Sequence, residues 1–374
     1  MHIAFNGWFW DQPHVGSGQY LRRLLHNLRR VSPDLKLTLI LPPHNDSPDD
    51  LPPDVNIITT SGMKGKLGKI WFEQRTFPRM VKQCGADIAH VPYWAPPLSS
   101  PAKLVTSVLD VIPLAMPEYS TGFANRLYTS LVSAGTGGSA QIITISDTAK
   151  ADIVSYLNIP PEKITTTHLG VDEAFHPRIG AEKDAAVKEK YNLPDRFVLY
   201  LGGFDTRKQV NQLLYAYTYV AQAENIPLVL VGKQPAWGKG VFPDLPAYIE
   251  KLDIGEIVQW AGYVDEADKP SLYRLADVFV YPSVYEGFGL PPLEAMASGT
   301  PVVANSVDIM KEIVGDGAYL VENPRSMGGA IIALLIQEPL RDSMINQGLA
   351  QATRYSWRKT AQKTLEVYEQ VMSR

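Results

Sequence analysis

Short apolar runs rich in β-branched residues alternate with longer stretches of helical periodicity from one end of the chain to the other. Runs that are apolar on both faces are typical of parallel strands covered by helices on both sides. The alternation therefore predicts an α/β fold built from parallel sheets. In the first half of the chain it predicts strands at His2–Asn6, Leu37–Leu41, Val55–Thr59, Ile88–Val91, Leu104–Leu109 and Gln141–Ile145.

The strand pattern stops after the first half and begins again at Phe197, and the segment His176–Lys183 reads as a connector. We therefore expect two domains, residues 1–176 and 177–355, and a last helix over residues 356–374 that packs back on the first domain. Open α/β sheets bind ligands beyond the carboxyl ends of their strands, so two such domains predict a cleft between them. The second half predicts strands at Phe197–Leu201, Leu228–Val231, Val258–Trp260, Val278–Tyr281, Pro301–Ala304 and Tyr319–Val321.

Composition and charge narrow the class of protein. The 374 residues carry a net charge of -4, which gives no electrostatic reason to expect a nucleic-acid partner. Cys84 is the only cysteine, so the chain can form neither an internal disulfide nor a CxxC metal site. The segment Met1–Asn6 lacks the pattern of a signal peptide, and no apolar run approaches the ~20 residues that span a membrane. These features predict a cytoplasmic protein.

One basic segment qualifies this expectation. Between Met63 and Lys82, cationic residues alternate with Leu67, Trp71 and other apolar residues at helical spacing. This pattern is typical of an ordinary amphipathic helix with a solvated basic face. It is also typical of a helix that docks on an anionic membrane surface, which leaves peripheral contact through Lys64 to Lys82 at the inner face of the membrane as the alternative.

The segment from Tyr281 to Ala304 carries the clearest chemistry, because it reads as strand, loop, helix and strand. Two prolines and a terminal glycine predict a helix from Pro291 to Ser298. The glycine-containing loop Gly287–Leu290 then brings backbone amides to a helix N-terminus, where a diphosphate can bind. Glu294, one turn into the helix, is suited to accept hydrogen bonds from ribose hydroxyls, and Glu286 is suited to face a sugar beyond the phosphates.

Arg207 and Lys208 follow a predicted strand and precede a helix, which places two cations at the carboxyl edge of the second sheet. An Arg-Lys pair alone is usually solvated surface. Beside Gly202, Gly203 and the paired glutamates, the pair instead predicts a site that stabilises a leaving diphosphate. The sequence contains no Asp-x-Asp pair, so we expect these protein cations to replace a metal, with no metal or other cofactor.

The paired glutamates, in their Tyr-Pro-Ser and Gly-Thr-Pro-Val-Val-Ala setting, resemble the motif of family 4 glycosyltransferases. The resemblance spans nearly the whole chain. It implies the GT-B fold, two Rossmann-like domains facing each other across a cleft, and metal-independent transfer with retention of anomeric configuration. The other segments that carry it are Gly202–Lys208, Ile145–Thr148, Gly170–Pro177 and Ser356–Ala361.

The resemblance also assigns roles to residues. It implies Glu286, Arg207 and Lys208 as the catalytic residues, and it implies backbone contact of the nucleobase with Gly262-Tyr-Val264. The loop that opens with Gly16 is similar to one that closes over the donor, although a tight turn between strand and helix explains it equally well. The donor-binding residues that follow are Gly16, Gly203, Tyr263, Val264, Gly287, Phe288, Gly289, Leu290 and Glu294.

The acceptor side departs from the family pattern. Leu109 stands where many relatives carry a histidine before an aspartate, and the aspartate that follows is Asp110, our candidate acceptor-side residue. His90 and His14 lie near predicted strand or loop ends, and we interpret both as structural. The departure at Leu109 keeps a second hypothesis open, namely a catalytically silent nucleotide-sugar binding protein or subunit of a glycosylation complex.

The leading hypothesis is a hexosyltransferase that uses GDP-mannose, with UDP-glucose as the runner-up donor. Its acceptor would be a saccharide or a lipid-linked sugar, as in polysaccharide biosynthesis. An oxidoreductase on twin nucleotide-binding domains is a further rival. It lacks support because Leu21 occupies the third glycine position of the dinucleotide fingerprint.

Overall fold

The computed structural model describes residues 1–43 and 49–374, and the chain divides into two compact units. The first comprises Met1–Gly170 and Trp357–Arg374, and the second comprises Val171–Ser356. The division falls before the boundary that the sequence predicts after residue 176. Val171 forms an isolated parallel bridge with Ser356, so it already belongs to the second unit.

A seven-stranded parallel sheet forms the centre of the first unit. Its strands are β1 (His2–Asn6), β2 (Lys36–Leu41), β3 (Val55–Thr59), β4 (Ile88–Val91), β5 (Lys103–Ser107), β6 (Gln141–Thr144) and β7 (Ile164–Thr166). Their order is β3-β2-β1-β4-β5-β6-β7, so the order reverses between β1 and β4. All positions of β1 and β4 are buried, as expected for strands covered on both faces.

Helices cover this sheet, and the last one returns from the far end of the chain. They are α1 (Gly16–Val31), α2 (Gly65–Trp71), α3 (Phe77–Cys84), α4 (Ile112–Ala115), α5 (Phe123–Gly137), α6 (Asp147–Leu157) and, at the end of the chain, α15 (Trp357–Ser373). The final helix packs on α1, with the rings of Tyr20 and Trp357 at 6.4 Å. Its Tyr368 hydroxyl lies 2.5 Å from His90 Nδ1 on β4.

The second unit has a six-stranded parallel sheet. Its strands are β8 (Val198–Leu201), β9 (Leu228–Val231), β10 (Val258–Gly262), β11 (Val278–Tyr281), β12 (Val302–Asn305) and β13 (Tyr319–Val321). The order β10-β9-β8-β11-β12-β13 reverses between β8 and β11, where Val198 is paired with Val278. A reversal of this kind opens a crevice at the carboxyl ends of the two strands.

The helices of the second unit bury apolar residues against both faces of its sheet. They are α7 (Asp184–Lys190), α8 (Val210–Ala223), α9 (Leu245–Leu252), α10 (Lys269–Leu275), α11 (Leu290–Ala297), α12 (Asp308–Val314), α13 (Pro324–Ile336) and α14 (Glu338–Ala352). Tyr217 and Leu213 of α8 and Ile331 of α13 are fully buried in one cluster with the strands. One short 3₁₀ turn, Thr206–Lys208, lies between β8 and α8.

The structure corrects several expectations from the sequence. Strand β5 ends at Ser107, so Leu109 and Asp110 lie in the loop that follows. Strand β10 extends to Gly262, and β7 was not predicted. The segment from Met63 to Lys82 contains α2 and α3 joined by a π-helical turn, Phe72–Thr76, instead of one regular helix.

Among the described residues, no helix combines the length and the apolar character that crossing a bilayer requires.

Candidate active site

Glu286 lies at the centre of a buried ion-pair cluster in the second unit. Its Oε2 atom is 2.8 Å from Nη1 of Arg207, and its Oε1 atom is 2.5 Å from Nζ of Lys208. The Ser283 hydroxyl donates to the same Oε1 at 2.5 Å, and Lys208 Nζ also donates to the Tyr281 hydroxyl at 3.0 Å. The three residues predicted to be catalytic are therefore in direct contact.

Sheet topology explains this contact. Arg207 and Lys208 lie on the turn that follows β8, and Glu286 lies just after β11. Because β8 and β11 are parallel neighbours, the segments that leave their carboxyl ends meet at the point where the strand order reverses. A backbone hydrogen bond of 2.9 Å from Val284 N to Arg207 O joins the two segments.

Electrostatics keep the Glu286 carboxyl ionised. Only 12% of this side chain is exposed, and burial alone would raise its pKa. The positive charges of Lys208 and Arg207 outweigh that effect and lower the pKa of Glu286 to about 2. Burial also lowers the pKa of Lys208, while the carboxylate of Glu286 opposes this shift. Glu286 thus lies between two cations just beyond the carboxyl ends of β8 and β11.

Glu294 lies one turn into α11, which begins and ends one residue before the predicted Pro291–Ser298. Gly289 precedes the helix with φ 110°, a backbone conformation that favours glycine, and a Cβ there would lie 2.6 Å from Met310 Cε. The helix N-terminus presents N–H groups that the helix itself cannot bond. The Tyr273 hydroxyl of α10 donates to Glu294 Oε2 at 3.0 Å, which orients the carboxylate.

The remaining predicted donor residues of the second unit differ in exposure. Gly203 and Tyr263 are exposed, with 55% of Tyr263 accessible, whereas Val264 is buried. Phe288 is also buried, and its ring packs at 5.8 Å on the ring of Tyr355. The side chains of Val264 and Phe288 therefore serve packing, and a donor contact at these two positions would involve the backbone.

Gly287 and Leu290 complete the loop before α11, and both are half-buried. Gly287 lies between Glu286 and the buried Phe288, and Leu290 is the first residue of the helix. The structure thus brings Glu286, Glu294, Arg207 and Lys208 into one region of the second unit. The roles assigned to them and to the donor-binding residues stay predictions.

In the first unit, the predicted residues lie in different environments. Gly16 is the exposed first residue of α1, and a Cβ there would contact nothing within 4 Å. Packing therefore gives no reason for glycine at this position. Asp110 is half-buried, and its Oδ1 accepts a hydrogen bond of 3.1 Å from Ile112 N at the start of α4. Its contact with an acceptor stays a prediction.

His90 and His14, the two histidines interpreted as structural from the sequence, lie in different environments. His90 is fully buried between the hydroxyls of Tyr368 and Ser107, and burial lowers its pKa to about 3. Such a neutral, enclosed imidazole serves packing and hydrogen bonding. His14 is exposed in the turn before α1.

Sequence reasoning missed several residues that surround the predicted site. Asp205 Oδ1 lies 3.1 Å from Arg207 Nε, and Tyr281, Ser283 and Tyr273 bond the charged groups as described above. The sequence did contain a signal for Asp205, because an acid only two residues before Arg207 is close enough to pair with it. No local signal existed for Tyr273, because its contact with Glu294 depends on how α10 packs against α11.

Two family models match the chain and together cover most of it. The model described as "Glycosyl transferases group 1" matches residues 182–351, and "Glycosyltransferase Family 4" matches residues 15–175. Among curated relatives, O-antigen chain mannosyltransferase B of Escherichia coli is 34% identical over 273 residues, which cover 71% of this chain and 70% of that protein. Serotype-specific mannosyltransferase WbdA of Escherichia coli is 28% identical over 280 residues, but these cover only 34% of its length.

Solved structures match the whole chain. HepE of Anabaena, determined in complex with UDP and glucose, has a TM-score of 0.73 at 19% identity, with 99% of each chain covered. This likeness shows the fold. The GT-B architecture of two parallel-sheet, Rossmann-like domains that the sequence predicts is confirmed.

Proposed function

The chain belongs to glycosyltransferase family 4, and from this membership we propose that it moves a hexose from a nucleotide diphosphate sugar to a hydroxyl group of a saccharide or lipid-linked acceptor. Mannose is the favoured sugar, and GDP-mannose the favoured donor. Two Escherichia coli relatives are mannosyltransferases, which supports mannose as the transferred sugar. The UDP and glucose in the Anabaena structure support UDP-glucose as the runner-up.

The observation that carries the proposal is the contact of Glu286 with Arg207 and Lys208 at the switch point of the second sheet. A leaving diphosphate gains negative charge as the glycosidic bond to it breaks, and two fixed cations nearby stabilise that charge. The N–H groups at the start of α11 would add to the same stabilisation. Glu294, oriented by Tyr273, would accept hydrogen bonds from the ribose.

In the proposed step, the bond between the anomeric carbon and the diphosphate oxygen breaks while the acceptor oxygen bonds to the same carbon. The acceptor attacks from the face that the diphosphate leaves, so configuration is retained. The proton of the acceptor hydroxyl passes to the departing phosphate oxygen. Glu286 stabilises the positive charge that develops on the sugar, and its low pKa keeps it anionic at neutral pH. Arg207 and Lys208 supply the charge that a metal supplies in other enzymes.

The donor is tested by thermal shift and calorimetric titration with GDP, UDP, ADP and their sugar conjugates. We expect stabilisation by GDP and GDP-mannose, since a ligand that binds only the folded state raises the unfolding temperature. A larger shift with UDP and UDP-glucose would replace the favoured donor with the runner-up. Binding without transfer or donor hydrolysis would favour a catalytically silent nucleotide-sugar binding protein.

Stereochemistry and metal dependence need separate measurements on the same reaction. Proton NMR of the first product formed from an α-linked donor is expected to show an α-linked sugar. Transfer is expected to continue undiminished after treatment with EDTA. A β-linked product, or activity lost to EDTA and restored by a divalent cation, would contradict this part of the proposal.

A cytoplasmic location with peripheral membrane contact is part of the same proposal. On α2, Leu67 and Trp71 are 74% and 56% exposed, and on α5, Phe123 and Leu127 are 83% and 61% exposed. The exposed Lys64 and Lys66 directly precede Leu67 in the chain. Large exposed apolar side chains beside cations are typical of surfaces that bind anionic membranes.

Vesicle sedimentation tests this contact. We expect the protein to sediment with vesicles of equal parts phosphatidylglycerol and phosphatidylcholine, and less with phosphatidylcholine alone. Combining Lys64→Glu with Lys66→Glu is expected to abolish binding, because both charges then repel the anionic lipid. Lys251→Glu, an exposed lysine of the second unit, is the matched control. Equal sedimentation with both kinds of vesicle, or none at all, would contradict the contact.

A further inference from the structure

Asp205 is the second acid that contacts the cation cluster of the proposed donor site. It lies between β8 and the turn Thr206–Lys208, with 13% of its side chain exposed. Its Oδ1 atom is 3.1 Å from Nε of Arg207, whose Nη1 is 2.8 Å from Glu286 and donates to the Tyr285 carbonyl at 3.1 Å. The planar guanidinium is thus held along two different edges.

Asp205 does not act as the side-chain cap of the turn that follows it. An acid before a helical turn ordinarily caps it by accepting a hydrogen bond from a backbone N–H. Here Asp205 precedes the turn, but its side chain makes no such cap bond. The turn is closed by backbone groups instead, since Lys208 N donates to Asp205 O at 2.9 Å. The carboxylate contacts Arg207 instead of the backbone N–H groups that a cap would bond.

Gly203 gives this carboxylate its space. A Cβ on Gly203 would lie 3.1 Å from Asp205 Oδ2, which is tighter than an ordinary van der Waals contact. The neighbouring backbone is also fixed, because the Tyr200 hydroxyl donates to the Gly203 carbonyl. The glycine assigned to the donor on sequence grounds thus has a second explanation, which is room for the acid that contacts Arg207.

We propose that Asp205 is a positioning residue that orients the guanidinium of Arg207 for the diphosphate of the donor, a role that rests on the proposed function. Arginine has a long, flexible stem, and a bond to Nε fixes the plane in which its terminal N–H groups point. Without that bond, Arg207 loses the contact at Nε and keeps those of Nη1 with Glu286 and the Tyr285 carbonyl. Asp205 acts through Arg207 and does not itself contact the donor.

The test compares Asp205→Ala with Asp205→Asn, using the nucleotide sugar that the wild type transfers. In Asp205→Ala we expect kcat/KM for the donor to fall by about tenfold to a hundredfold, the scale of a misplaced catalytic group. Asn keeps an oxygen that accepts from Nε, so Asp205→Asn is expected to lose about threefold or less, the scale of one exchanged hydrogen bond. Both variants are expected to remain folded at the assay temperature, because Arg207 keeps its ion pair with Glu286, and circular dichroism checks this.

Asp195→Ala is the matched control. Asp195 lies in the same unit and pairs with Lys188, but its side chain is 96% exposed, so its loss should leave the kinetics unchanged. Full activity in Asp205→Ala, or an equal loss in Asp205→Asn, would overturn the positioning role while leaving the proposed function intact. A wild type that binds neither GDP nor UDP would overturn both.

Discussion

The two sheets each bring a buried carboxylate to the place where their strand order reverses, but they surround it differently. In the first unit Glu73 is fully buried, accepts hydrogen bonds from Tyr93 and Tyr128 at 3.1 and 2.9 Å, and pairs with Lys69 at 3.3 Å. Tyr93, which follows β4, also donates to Asn6 at the end of β1. Among the described residues, the Glu73 carboxylate thus has one cation and two neutral donors.

In the second unit Glu286 has two cations, Arg207 and Lys208. The consequence appears in the acidity of the two groups. Burial raises the pKa of Glu73, although Lys69 and the tyrosines oppose the shift, whereas the two cations lower the pKa of Glu286 to about 2. Burial is common to both carboxylates, so the number of cations decides the direction. The second switch point thus places two cations on one carboxylate, and both are within reach of a diphosphate that binds there.

The comparison predicts that only one of the two carboxylates is needed for chemistry. Glu286→Gln keeps the size of the side chain but removes its charge, and we expect transfer to fall by about a hundredfold to a thousandfold, the usual effect of losing one electrostatic contribution to a transition state. Binding of GDP is expected to persist, because Arg207 and Lys208 remain. Steady-state transfer kinetics and calorimetric titration provide the two measurements.

Glu73→Gln is the matched substitution in the first unit. We expect its kcat to stay within about threefold of the wild type, since Gln can still accept from the tyrosines. An equal loss of kcat in both variants would show that the first switch point also takes part in the reaction, and the contrast between the units would no longer hold.

For transfer, we expect the larger effect from substitution in the second unit. For the free energy of unfolding, we expect the larger effect when the lysine is removed from the first unit. Lys69→Met leaves the buried Glu73 without a cation, which is expected to reduce the free energy of unfolding by about 3 kcal/mol. Lys208→Met leaves Glu286 paired with Arg207, and we expect a loss of about 1 kcal/mol. Chemical denaturation followed by near-ultraviolet circular dichroism measures both. A larger loss in Lys208→Met than in Lys69→Met would contradict the argument from the number of cations.

The contributions of Glu286 and Glu73 to the free energy of unfolding should change in opposite directions as the pH changes. The pKa of Glu286 is lowered in the folded state, so its contribution to stability is present above its ordinary value of 4.5 and is lost as the pH falls towards about 2. The pKa of Glu73 is raised, so its contribution is greatest at low pH and decreases as the pH rises through the folded value. The stability difference between wild type and Glu286→Gln should therefore shrink on acidification, and the difference for Glu73→Gln should move in favour of the wild type. If the two differences in the free energy of unfolding, wild type against Glu286→Gln and wild type against Glu73→Gln, changed with pH in the same direction, this prediction would be refuted.

Much of the fold could be predicted because parallel strands buried on both faces leave a clear apolar pattern. Every expected strand is present, half of them with ends shifted by one or two residues, whereas β7, Ile164–Thr166, was missed because it is short and contains only one apolar residue. The π-helical turn Phe72–Thr76 was not predictable, since the same periodicity suits a regular helix. Strand β5 ends before Leu109 although the apolar run continues, because strand length depends on pairing with β6.

The candidate site was predictable only where one short segment carries it. Glu286 and Glu294 share a segment with a helix start that the local sequence specifies, and Arg207 and Lys208 follow a strand. The contact of Glu286 with Lys208 spans 78 residues and required the strand order, which no local pattern contains. For the same reason the cluster around Glu73 was read as part of an amphipathic helix with a solvated basic face.

The smallest effect that separates the two units concerns their tyrosines. Tyr273→Phe removes the donor to Glu294, and we expect GDP to bind about fivefold more weakly, the effect of about 1 kcal/mol from one hydrogen bond. Tyr128→Phe removes a donor to Glu73 in the first unit and should leave GDP affinity unchanged. Calorimetric titration measures both. Because a carboxylate that loses one hydrogen bond can still accept others, Tyr273→Phe should weaken GDP binding without abolishing it. A complete loss of binding would mean that Tyr273 supports other parts of the donor site besides the Glu294 carboxylate.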